Sequence, residues 1–145
     1  MFLVIVSLYL AVSVAMGALG AHFLEPRLSE AAISAFHTAI DYHQLYALFC
    51  FIMLILTKKK GEFAKVFSRL MPLGLIKLFF LALSLFSGSI YVYVFTGNKM
   101  WIKLTPVGGF LLIFAWTLTA FLALRYSLHK VKYRRNNDDA LPGDD

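Results

Sequence analysis

The sequence predicts an all-α polytopic membrane protein, a four-transmembrane-helix bundle with both termini cytoplasmic. Three observations carry this. Hydrophobic residues make up 60% of 145 residues and mean hydropathy is +0.74, against roughly 45–50% apolar residues in soluble domains. The apolar residues gather into four blocks, each close to the ~20 residues that cross ~30 Å of hydrocarbon. The basic residues divide unevenly between the two ends of those blocks. Residues 1–125 are expected to form one transmembrane domain, with spans near 2–23, 30–57, 71–96 and 105–125. An amphipathic helix near 62–70 lies on the inner surface, and 126–145 is a basic, then acidic, cytoplasmic tail.

In the first span only Ser7, Tyr9, Ser13 and His22 interrupt the apolar run. No basic residue precedes it and it exceeds a signal-peptide core, so an uncleaved span is expected despite the small-residue stretch Ala18-Leu19-Gly20. Ser13, Gly17 and Ala21 recur every four residues, with Gly20 beside them, a pattern that lets helix backbones approach closely in lipid. Glu25-Pro26 should end the helix, because the residue before proline avoids the helical region. Ser29 is the expected N-cap of the next helix.

That helix can run from Glu30 to Thr57, about 42 Å at 1.5 Å per residue, longer than the membrane requires. Its first turns therefore lie on the outer surface or tilt into it. Ala31, Ala35, Ala39, His43 and Ala47 form a smooth ridge for a neighbouring helix. Lys58–Lys60 mark the inner interface. Phe63, Val66, Phe67 and Leu70 then follow at i, i+3, i+4 and i+7 with charges between them, the pattern of a surface-lying helix. Pro72 suits the first turn of span three, where a missing N–H does no harm. Lys77 is expected to snorkel to the inner headgroups. Gly88 in span three and Gly108-Gly109 in span four complete the expected packing glycines. Proline and two glycines after Thr105 suit a tightly packed helix start, whose dipole can favour an anionic group such as Asp41 or a lipid phosphate.

With both termini on one side, eleven Lys and Arg lie on that side and only Arg27, Lys99 and Lys103 on the other. The positive-inside rule places the rich side in the cytoplasm. Topology thus accounts for the net charge of +6, and nucleic acid is not expected as a partner. Anionic headgroups are the expected contact of the basic stretch after span four. Cys50 is the only cysteine and lies mid-span, so no intrachain disulfide forms.

The chemistry-bearing stretch is Phe36–Leu48, which runs directly into a hydrocarbon segment. Ionisable groups in such a place usually have a partner or a task. Counting helix rise from the inner edge puts a polar cluster in the outer leaflet: His22 from span one; Asp41, His43, Gln44 and Tyr46 from span two; Ser87, Ser89 and Tyr91 from span three; Thr105 at the start of span four. His37, Asp41 and Gln44 share one stripe of helix two, while His43 and Tyr46 share another. Asp41 and His43 are about 200° apart, too far to chelate one ion from a regular helix. There is no HExxH, no paired cysteine and no nucleophile elbow, so neither catalytic residues nor a metal or cofactor are predicted. A haem on His22 or His43 has no support beyond the histidines themselves.

Gly17-Ala-Leu-Gly-Ala-His22, Leu28-Ser29, Phe36-x-Thr38-Ala39, Phe86-Ser-Gly-Ser-Ile-Tyr91 and Thr105-Pro-Val-Gly-Gly109 together resemble one group. It is the small four-span membrane family of unknown function that contains bacterial YgdD and YwdK and eukaryotic transmembrane protein 256. The resemblance covers about residues 10–120. It implies a multi-pass protein of the bacterial cytoplasmic (inner) membrane with no established activity. The family pattern after Ala39 usually reads Tyr-Gln-x-x-His-Ala-Leu, whereas this chain has His43 at the glutamine position and Tyr46 at the histidine position. No role of that histidine is carried over.

Three functions follow as expectations. The first is a non-catalytic accessory, assembly or structural subunit of a membrane complex, or a homo-oligomer. The second is a small oligomeric transporter or proton/ion pathway using Asp41, His43 and His22. The third is a lipid- or quinone-binding protein.

Overall fold

The computed structural model describes residues 1–138. Helix α1 spans Phe2–Leu19 and continues through a π turn (Gly20–Leu24) and a 3-10 turn (Glu25–Arg27). Then come α2 (Glu30–Lys58), α3 (Glu62–Leu70), α4 (Leu73–Thr96), a 3-10 turn (Trp101–Leu104) and α5 (Thr105–Asp138). Four of these segments are long and apolar enough to cross a membrane: Phe2–Leu24, Glu30–Lys58, Leu73–Thr96 and Trp101–Val131. Four crossings return the chain to the side on which it began.

The local chemistry explains the boundaries. Ser29 caps α2, its hydroxyl accepting from the Ala32 N–H at 3.3 Å. Pro72 stands at the N-cap of α4 rather than inside its first turn. Gly97 closes α4 in the left-handed region (φ 67°), and its N–H bonds the Tyr93 carbonyl. Pro106 is the second residue of α5, not the first. The 3-10 turn runs straight into the helix, and the Thr105 N–H is already bonded to the Ile102 carbonyl. One donor of the expected anion-favouring helix start is therefore occupied. Beyond Leu124 α5 does not stop, and the basic stretch continues it to Asp138. The acidic end of the expected tail, residues 139–145, lies outside the described residues.

Helix α4 is the hub. It packs against α2 on one side and α5 on the other, while α1 packs chiefly on α2 and α3 bridges α2 and α5. On α2 the buried positions Phe36, Ile40, His43, Ala47, Cys50 and Leu54 alternate by four and three. That is the spacing of knobs-into-holes packing. One core cluster includes Val6, Cys50, Ile76, Phe79 and Ala82, all inaccessible. The outward faces of α1 and α5 carry exposed Val4, Leu8, Val14, Phe110, Ile113 and Phe121, as a lipid-facing surface should.

The packing glycines divide. A Cβ at Gly108 would lie 2.7 Å from the Phe86 Cα, so α5 approaches the α4 backbone itself. A Cβ at Gly20 would meet the Phe36 ring at 2.9 Å. Gly17 and Gly109 have only ordinary clearance, against Gln44 and Phe86 respectively. Ser13 and Ala39 are fully buried. Two of the expected packing residues make no close contact among the described residues. Gly88 faces open space, with no atom within 4 Å of a Cβ there. Ala21 is exposed, since a helix presents positions 13, 17 and 20 on one narrower face and carries 21 away from it.

The glycines yield a paired test. Gly108→Ala should lower stability in detergent by about 1–3 kcal/mol, through overpacking against backbone that cannot move aside. Gly88→Ala should be neutral or slightly stabilising, because it adds helix propensity in open space. Reversible unfolding of both variants checks this; equal effects would refute the assignment of Gly108 as the close contact.

Candidate functional site

The expected polar cluster resolves into three small groups and several outliers. His43 on α2 is 1% exposed, and its Nδ1 lies 3.1 Å from the Tyr91 hydroxyl on α4. The Tyr9 ring of α1 packs on the imidazole with centroids 4.1 Å apart, and Phe36 packs edge-on to Tyr91 at 5.3 Å. On α4 and α5, the Ser89 and Thr105 hydroxyls are 2.7 Å apart. On the α5 side, the Trp116 Nε1–H donates to the Tyr46 hydroxyl at 3.0 Å. Neither Tyr9 nor Trp116 was singled out for this cluster from sequence, since an aromatic residue in an apolar run carries no signal of its own.

Among the described residues, two buried polar side-chain atoms have no hydrogen-bond partner: His43 Nε2 and Ser87 Oγ. The Tyr9 main chain interacts with the imidazole, but no group meets hydrogen-bond geometry at Nε2. Whichever tautomer pairs with Tyr91, the second ring nitrogen is left with an unmet donor or acceptor. Most buried hydroxyls of the spans return to the carbonyl three or four residues back, as Ser13, Ser84, Ser89 and Thr119 do.

The remaining candidates stand apart. Asp41 is exposed, and its side chain has no hydrogen bond or ion pair among the described residues. Gln44 is exposed, its amide passing near Gly17. His22 is exposed near the C-terminal end of span one. The depth count misplaces it because lengths give no relative height. Phe2 packs on Phe80, seven residues into α4, so α1 sits about 10 Å further out than a common inner edge implies. Tyr9, not His22, is the α1 residue level with His43. Gly20 meets Phe36 and Ile40, nearer the outer end of α2.

Among the described residues no three His, Cys, Asp or Glu side chains converge as a metal site. The single ion pair described is on α3, where Lys65 Nζ lies 2.7 Å from Glu62 Oε1. That hydrogen bond, with the Lys65 charge, holds the Glu62 carboxyl below its usual range. The pair therefore persists through neutral pH and is lost as pH falls through that lowered value.

The family model described as protein of unknown function (DUF423) matches residues 16–109. The chain belongs to this family. The chain is 29% identical over 127 residues to the UPF0382 membrane protein YwdK of Bacillus subtilis, covering 86% of this chain and 97% of that one. With a UPF0382 membrane protein of Haemophilus influenzae the identity is 27% over 120 residues, 83% of this chain and 90% of the relative. With the UPF0382 inner membrane protein YgdD of Escherichia coli K12 it is 28% over 114 residues, 77% and 80%. No solved structure matches. The protein is thus a multi-pass inner-membrane member of DUF423, without obvious catalytic motifs. The matched segment holds Gly20, Phe36, Phe86, Tyr91 and Gly108, which the fold brings into pairwise contact.

Removing the Tyr91 hydroxyl (Tyr91→Phe) should cost about 1 kcal/mol of stability in detergent, since it leaves the buried His43 Nδ1 unpaired. Tyr46→Phe should cost less than about half that, because its partner Trp116 reaches the surface. Unfolding of the two variants side by side decides; a larger loss at Tyr46 would refute the ranking.

Proposed function

We propose that this protein works by association within the bilayer, without catalysis of its own, as an accessory or assembly subunit of a membrane complex or as a homo-oligomer. One observation carries the reading: Asp41 projects from the outward face of α2, above exposed Leu45, Leu48, Ile52 and Ile55. Counted from Thr57, it stands about 24 Å up the helix, inside the hydrocarbon of a ~30 Å core. A carboxylate exposed there is unfavourable by several kcal/mol, and a polar or cationic group on a second chain removes that penalty. The use of the family motifs for helix contacts supports the same reading, since it leaves no constellation for chemistry. Both termini are placed in the cytoplasm on the strength of the eleven-to-three division of basic residues. Kinship with eukaryotic transmembrane protein 256 belongs to the proposal and rests on the sequence motifs.

A second reading, a proton or ion pathway, draws on the open Nε2 of His43. It requires oligomerisation, because Asp41 and His22 are exposed and apart from His43 within one chain. Flux into liposomes by the parent, abolished in His43→Leu, would favour it.

A photo-crosslinking residue at position 45, expressed at native level, tests the principal reading. Crosslinks to a protein partner or a second copy are expected, and Asp41→Leu should reduce their yield at least about tenfold, in keeping with the cost of an unmatched intramembrane carboxylate. Crosslinks to lipid alone, with a monomer in native mass spectrometry, would overturn it.

A further inference from the structure

Where α3 meets α5, at the end of the bundle that carries Lys58–Lys60, lies a cleft of about 250 Å³ lined by Arg69, Leu122, Arg125, Tyr126 and His129. Leu122, Arg125, Tyr126 and His129 fall at i, i+3, i+4 and i+7 of α5 and form one stripe, while Arg69 comes from the last turn of α3. A smaller cleft of about 80 Å³ adjoins it, sharing Arg69 and Tyr126 and reaching Glu62 and Lys65.

We propose that this cleft binds the phosphate headgroup of an anionic phospholipid. Among the described residues its lining contains two guanidinium groups, a phenol and an imidazole, and no carboxylate. Guanidinium is the side chain best matched to phosphate oxygens, through paired parallel hydrogen bonds. Neither Arg69 nor Arg125 has an ion-pair partner among the described residues, and the nearby Glu62 is engaged by Lys65. Arg125 is therefore open to an external anion, and Arg69, whose charge also acts on the nearby Glu62 carboxylate, keeps its guanidinium hydrogen bonds available for one. The height fits a headgroup. Arg125 follows Thr105 by about 30 Å of helix, the thickness of the hydrocarbon core, so it stands at the level of the phosphates. Below it Leu122 forms an apolar floor, continued by exposed Phe121 on the shaft of α5. A charged mouth over an apolar floor suits a molecule with a phosphate at one end and an acyl chain at the other. A free anion has no use for the floor. Helix α3 is held in place by α2 and α5, so the two arginines come from elements already packed together.

The test uses the full chain in mild detergent and native mass spectrometry, with phosphatidylglycerol and phosphatidylcholine of identical acyl chains. Preferential retention of phosphatidylglycerol is expected. Arg69→Gln with Arg125→Gln should weaken its binding about thirtyfold, the effect of removing two basic groups near a phosphate. Lys58→Gln with Lys130→Gln removes the same charge outside the cleft and should leave the preference intact. Equal losses in both double variants would mean general surface attraction and overturn the proposal. Displacement of the lipid by millimolar inorganic phosphate, with the same arginine dependence, would identify a free-anion site and overturn it too. Should the arginine variant fail to fold, photoactivatable phosphatidylglycerol on the parent decides. Labelling concentrated at residues 66–69 and 122–129 supports the site, and labelling spread along all four spans refutes it.

Discussion

The approach of α5 to the main chain of α4 at Gly108 is the contact on which the bundle depends. Lipid tails are as apolar as leucine, so burying hydrocarbon between helices gains little in a membrane; close van der Waals contact has to hold them. At Gly108 no side chain stands between the two backbones, and Phe86 fills the space a Cβ would take. That proximity brings Thr105 within 2.7 Å of Ser89 and sets Trp116 against Phe79, with ring centroids 5.0 Å apart. The counterpart at the outer end is Gly20, which admits the Phe36 ring, and Phe36 in turn packs on Tyr91. Two glycines thus connect α1 to α2 and α5 to α4, and α2 lies directly on α4. Overpacking at either glycine would push a flanking helix away from the central pair at that point, while the other contacts of α1 and α5 remain.

The polar groups of α2 follow from the same geometry. A helix in contact with neighbours over one face has an inward and an outward stripe, and the sequence places polar residues on both. The inward stripe gives His43 and Tyr46, each finding a hydroxyl or indole partner on α4 or α5. The outward stripe gives Asp41, which has no hydrogen-bond or ion-pair partner among the described residues. Hydrogen bonds inside the bundle contribute modestly in membranes, about 0.6 kcal/mol on average, so the inward groups orient more than they stabilise. An outward carboxylate is a larger unfavourable term, and it is the feature that one chain alone does not resolve.

Much of this was legible in sequence, for identifiable reasons. The limits of α2 follow from Ser29 and the Lys58–Lys60 run, and α3 at Glu62–Leu70 follows from a short 3.6-residue period with interleaved charge. Gly20 and Gly108 were legible as close contacts because small residues in lipid have few other uses. What sequence lacks is a common origin of height. Rise per residue fixes distance along one helix, but only a contact such as Phe2 with Phe80 fixes one helix against another. Hence His22 was placed beside His43, where Tyr9 in fact stands. Gly88 misled for a related reason, since its immediate neighbours Ser87 and Ser89 are buried and only rotation about the helix axis sets it apart. Asp41 was legible as an ionisable group of the span, and its separation of about 200° from His43 already implied that it lies on another face of α2.

The exchange at positions 43 and 46 bears on what those positions require. In the pattern the chain resembles, the first is usually glutamine and the second histidine; here they are histidine and tyrosine. Both face inward, at i and i+3 on α2, and each meets a partner on another helix: Tyr91 on α4 for His43, Trp116 on α5 for Tyr46. Glutamine, histidine and tyrosine share the ability to make one directed hydrogen bond from a side chain of moderate size. They do not share a pKa, a metal preference or nucleophilicity. In this chain imidazole at position 43 and phenol at position 46 each supply one such directed bond across helices. The exposed carboxylate of Asp41, by contrast, makes no such bond among the described residues, so it is the polar group of α2 that the packing of the four spans leaves unaccounted for.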